Sequence, residues 1–177
     1  MRFLPLLLAL LATAWTTTAA AEPLREVFHP KADFPAFRCL VPAVWTSQVD
    51  AVGNLLLANP DHTANFSLSF ANSTNAPEAL DPLARVLLAS AVHPPWDSRE
   101  SAEVSGHRGA LYQAHVRHSN GVEVHAEVML VPVGEHQVAA CSMLLSTRIK
   151  PADEAVARLV FAAVRIVAPP QADQTLK

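Results

Sequence analysis

Glycine is scarce in this chain. Five glycines in 177 residues form no Gly-x-Ser-x-Gly turn and no glycine-rich phosphate loop, so neither a nucleophile elbow nor a phosphate cradle is encoded. Two cysteines, Cys39 and Cys141, exclude a miniature scaffold stapled by several bridges. Charged residues make up 16% and the net charge is −3, with lysine and arginine scattered. That balance argues against nucleic acid or an anionic membrane surface as the main partner. No His-Glu-x-x-His pattern occurs, and no apolar run reaches the ~20 residues a membrane span needs.

The beginning of the chain is informative. In MRFLPLLLALLATAWTTTAAAEP, Arg2 precedes an apolar run to about Ala14, and small residues end at Ala19-Ala20-Ala21. This is the pattern of a secretory signal peptide, residues 1–21, with cleavage after Ala21. No cysteine follows closely enough for lipid attachment, so no stable membrane anchor is expected after cleavage. Arginine outnumbers lysine and alanine is abundant, which together with export points to a periplasmic or secreted bacterial protein. In that oxidising compartment a Cys39–Cys141 disulfide is expected. The alternative is two separate buried thiols, because Cys141 lies in the apolar run QVAACSMLL.

Residues 22–37 are polar, with several prolines and scattered phenylalanines, and are expected to be an extended lead-in. One α+β domain is expected over 38–167, and a disordered tail over 168–177. RCLVPAVW reads as a short strand, and GNLLLAN with ANFSLSFAN as a hairpin in which Phe66, Leu68 and Phe70 alternate with Asn65, Ser67 and Ser69. Asp81 is placed to cap a helix beginning at Pro82, with Leu83, Val86, Leu87 and Ser90 inward and Pro94-Pro95 stopping it. The strands SAEVSGH, GALYQAHVR, GVEVHAEVMLV and HQVAACSMLLS follow, the last apolar on both faces. A helix starting at Pro151 then runs through VRIV, with Val156, Leu159, Val160, Ala163 and Val164 inward. Strands, a helix, more strands and a terminal helix predict a largely antiparallel sheet flanked by helices.

The order of these landmarks, VPAVW, the first hairpin, a helix, GHRGALYQAHV, GVEVHAEVMLVPV, HQVAACSMLLST and a last helix ending VRIV, resembles the PsbP-like α/β/α sandwich superfamily over about residues 37–167. Members of that superfamily are mostly non-catalytic binding or assembly factors. The resemblance therefore implies a binding role and carries no functional residue onto this chain.

QAHVRHSNGVEVHAEVMLV holds a run of histidines. A two-residue Asn120-Gly121 turn would mix polar and apolar residues on each face. A three-residue loop with Gly121 in the left-handed position pairs Val116 with Val124, Ala114 with Ala126 and Tyr112 with Val128. The opposite face then holds Arg117 with Glu123, His115 with His125, and Gln113 with Glu127. A one-residue slip spoils both faces, so the three-residue loop is expected. His115, His125 and Glu127 on one face form a candidate zinc or copper set; the competing reading is a polar sheet face.

Other chemistry is thinner. A strand-interior Cys141 is expected to be inert rather than nucleophilic. GHRG could offer His107 and Arg108 to an anion, or its glycines could form a turn between strands. Trp45 and Trp96 fit either a ligand groove or a core edge. The sequence thus predicts an exported, non-catalytic domain that needs no cofactor and binds an unidentified protein or envelope component. The alternatives are a metal-handling protein and an enzyme with an unrecognised site.

Overall fold

The computed structural model describes residues 22–29, 36–88, 96–117 and 121–167. The expected signal peptide and tail, Ser90, Pro94-Pro95 and Asn120 lie outside them. In chain order the elements are β1 (Leu24–His29), β2 (Ala36–Pro42), β3 (Thr46–Val49), β4 (Leu55–Ala58), β5 (Ala64–Asn72), a 3-10 turn (Pro77–Ala79), α1 (Leu80–Leu88), β6 (Ser98–Val104), β7 (His107–Arg117), β8 (Glu123–Pro132), β9 (Gln137–Ser146), α2 (Pro151–Ala162) and β10 (Arg165–Val167). Seven strands form an antiparallel sheet in the order β3-β4-β5-β9-β8-β7-β6. A second antiparallel sheet has the order β1-β2-β10. This is the expected α+β class.

Burial explains the layering. On one face of the large sheet, Phe66, Leu68, Cys141 and Met143 pack under Ala157, Val160 and Phe161 of α2 and under Val27, Phe37, Cys39 and Val41 of the small sheet. On the other face, Tyr112, Ala114, Ala126, Val128 and Leu130 pack under Leu80, Ala84 and Leu88 of α1. Strand β9 is covered on both sides, hence its apolar run. Each large apolar side chain taken out of water here contributes about 2 kcal/mol.

The structure departs from the sequence reading in four places. First, the lead-in contains β1, which pairs with β2 from Leu24↔Pro42 to His29↔Phe37, so regular structure begins ahead of Cys39. Second, α1 starts at Leu80 and buries Leu80, Ala84 and Leu88, which recur every four residues; Val86 and Leu87 are exposed and Leu83 is half-buried. Third, α2 ends at Ala162, with Ala157, Val160 and Phe161 inward and Leu159 70% exposed. The residues RIV leave the helix as β10 and pair with β2, Ile166 against Phe37, because buried Val164 and Ile166 flank exposed Arg165 with a strand's period of two.

The fourth departure concerns the cysteines. Cys39 on β2 and Cys141 on β9 form no disulfide; both are free thiols in one core. Burial pushes the Cys39 thiol up to about 11 and the Cys141 thiol well above its ordinary range, so the reactive thiolate is disfavoured at both. They fill space as small apolar groups.

Candidate functional sites

The histidine hairpin adopts the register expected from its two faces. Val116 pairs with Val124, Ala114 with Ala126 and Tyr112 with Val128, while Arg117 faces Glu123, His115 faces His125 and Gln113 faces Glu127. Gly121 has φ +80°, the left-handed conformation the loop requires. The apolar set lies under α1, and the polar set is on the α2 side.

That polar face is a connected network. Asp97 Oδ2 accepts both the backbone N–H of His115 at 2.9 Å and its ring Nδ1 at 2.6 Å. The ring contact holds the Asp97 carboxyl below the usual range. The His115 and His125 rings lie 5.1 Å apart between centroids, tilted by 57°. His125 Nε2 is 3.1 Å from Glu127 Oε1. Glu127, only 4% exposed, accepts a 2.6 Å bond from Arg158, which also donates to Glu154 at 2.9 Å. The structure therefore brings His115, His125 and Glu127 onto one face, with the carboxylate of Glu127 engaged by Arg158. Among the described residues no three His, Cys, Asp or Glu side chains are gathered as a three-donor metal cage.

A second cluster was hidden from the sequence. Asp81, expected to cap α1, instead accepts the Tyr112 hydroxyl at 2.6 Å and Arg99 Nε at 3.1 Å. The tyrosine bond is the largest cause of a lowered Asp81 carboxyl, while burial raises the Tyr112 phenol to about 12. Arg99 stands over the Tyr112 ring at 5.6 Å, and Trp96 meets the same ring edge-on at 4.8 Å. This cluster ties α1 to the β6–β7 end of the sheet. Trp45 is buried in the other core against Phe66, at 5.5 Å between ring centroids. Neither glycine of GHRG builds an anion cradle. Gly106 completes the β6–β7 turn with Ser105, both at positive φ, whereas Gly109 lies inside β7 where an added Cβ would collide with the Leu130 carbonyl oxygen.

A larger concavity among the described residues lies elsewhere. A groove of about 850 Å³ runs between the small sheet and the β3–β4 edge of the large one. Its apolar lining comes from Val27 and Phe28 of β1, Ala36 of β2, Val49 of β3, Leu55 of β4 and Val167 of β10. Arg38 lies over the Phe28 ring at 5.0 Å and pairs with Glu26 at 2.8 Å, adding one polar element to the wall. Next to it Arg25 reaches from β1 to the Trp45 carbonyl at 2.7 Å and to Ser47 Oγ at 3.1 Å, holding β1 against β3. Among the described residues β1 pairs only with β2 and β3 only with β4, so each presents an unpaired edge here. The volume is that of an ordinary ligand site.

No family model matches the chain, and no curated protein matches it in sequence. Among solved structures, a crystal structure from Bacteroides thetaiotaomicron VPI-5482 matches with TM-score 0.49 and 19% identity over 77% of this chain and 46% of that one. The chain thus spans less than half the length of that protein. The solution structure of cyanobacterial PsbP (CyanoP) from Synechocystis sp. PCC 6803 matches with TM-score 0.54 and 8% identity, over 85% of this chain and 96% of that one. The strand order, the two covering helices and this superposition over 85% of the chain together show that the chain has the PsbP-like fold.

Proposed function

We propose that the chain is an exported, non-catalytic binding domain that takes an extended segment of a protein or envelope component into the groove between β1 and β3. The observation that carries this reading is an apolar hollow of about 850 Å³ bounded by two strand edges that have no further partner among the described residues. A lipid tail would cover those backbone N–H and C=O groups without bonding them, at a cost of about 1–3 kcal/mol for each group buried unpaired. An extended peptide satisfies them, and its alternate side chains enter the apolar lining, as in strand addition to a sheet edge. Strand β3 carries no charge and no proline in its TSQV sequence, so its own side chains supply none of the usual guards against pairing, and Arg25 holds only its Ser47 end. The leader-like N-terminus supports export, and the absence of nucleophile or phosphate motifs supports a binding role.

The test is site-specific photo-crosslinking in the native host, with the probe at Gln48 of β3 or at Glu100 of β6. The reading expects one discrete adduct from Gln48 and none from Glu100, on a protein whose N-terminus is Glu22. Adducts of equal yield at both positions, or at neither, would overturn it.

A further inference from the structure

The histidine face has a property that the groove does not share. Each imidazole is fixed through one nitrogen by a carboxylate, and the other nitrogen remains. Asp97 takes His115 Nδ1 and Glu127 takes His125 Nε2; among the described residues neither His115 Nε2 nor His125 Nδ1 has a hydrogen-bond partner. A carboxylate on the far nitrogen is the arrangement that sets the tautomer and raises the basicity of a metal-ligating histidine. Spacing agrees with it. Two imidazoles bound at about 2.0 Å to one tetrahedral ion have ring centroids roughly 5 Å apart, and these lie 5.1 Å apart. The surrounding charge favours a cation. Asp97, Glu123, Glu127 and Glu154 outnumber Arg117 and Arg158, and each arginine is already paired within this set.

We infer that His115 and His125 form a two-imidazole site for a divalent transition-metal cation of the zinc and copper class, with Asp97 and Glu127 as positioning residues and water completing the shell. Glu127 is then the outer partner of His125 and not a ligand. Zinc and copper accept imidazole nitrogen, whereas magnesium and calcium prefer oxygen shells, and the carboxylates of this face are each engaged by His115, His125, Arg117 or Arg158. The inference stands on the histidine face and its carboxylate partners and is independent of the groove.

Zinc(II), copper(II) and magnesium(II) are titrated separately into the full chain by calorimetry, and zinc is followed by the histidine ring resonances in NMR. Zinc is expected to move the His115 and His125 rings and to leave those of His62, His107 and His136 in place, with no response to magnesium. His115→Ala is expected to weaken zinc and copper binding at least tenfold, and Asp97→Asn about tenfold, while His136→Ala changes nothing. His115 is 75% exposed in its side chain, so the variant keeps its core, which circular dichroism checks. Equal binding by wild type and His115→Ala, equal shifts at the other histidines, or no binding of either metal would overturn the assignment.

Discussion

The seven-stranded sheet ends in two edges that are treated in opposite ways. Strand β6 carries Arg99, Glu100 and Glu103 along its length, and Arg99 is locked to Asp81 and Tyr112, which ties the edge to α1. Strand β3 is four uncharged, exposed residues opening onto an apolar groove. Charged side chains and tertiary locks are how a sheet keeps foreign strands off an edge, and a sheet that guards one edge and not the other shows where pairing is tolerated. Under the proposed function the contrast places stability on the β6 side and recognition on the β3 side, and it can be broken from either.

The largest effect is expected on the guarded side. Gly109 pairs with Ala102 of β6 and abuts the backbone of β8 at Leu130 and Val131, so a methyl group there must push two strands apart. Gly109→Ala is expected to cost about 3 kcal/mol, at the upper end for overpacking, measured as a lowered urea midpoint. A loss under about 1 kcal/mol would mean that β7 and β8 separate easily and that the guarded end is softer than described.

A smaller effect is expected from the lock itself. Tyr112→Phe removes the hydroxyl that donates to Asp81 and should cost about 1 kcal/mol at pH 7, because Asp81 is half exposed and the bond is partly screened. Asp81 has a folded pKa below its unfolded value, so its contribution is fully present above the ordinary aspartate range near 3.9 and is lost as pH falls through the lowered folded value. The difference between wild type and Tyr112→Phe should therefore shrink between pH 5 and the acid limit. A difference that stays constant with pH would show that the tyrosine acts through packing alone.

How much of this was legible follows from how local each signal is. The hairpin register could be read because alternation on both faces and Gly121 agree on one loop length, and all six pairs lie within residues 112–128. The cysteines could be placed in strands, yet whether they bridge depends on the packing of two sheets, which composition and compartment do not set. Strand β10 was hidden because VRIV continues the apolar content of α2, and its partner in β2 lies over a hundred residues earlier. Asp81 looked like a helix cap because its tertiary partners, Tyr112 and Arg99, are 31 and 18 residues away. The groove was the least legible feature, since five strands, four consecutive in the chain and β10 more than a hundred residues later, each contribute only one to three residues to it.

The central claim, that β3 and not β6 is the recognition edge, is tested most directly by hydrogen exchange. The segment recovered by crosslinking is made as a synthetic peptide and added to the wild-type chain and to Val49→Lys, which gives β3 the charge that β6 already has. The account predicts that exchange at alternate β3 amides slows at least tenfold in wild type, that β6 is unchanged, and that Val49→Lys abolishes the slowing while shifting stability by less than about 0.5 kcal/mol. Protection that appears along β6, or that persists unchanged in Val49→Lys, would contradict it.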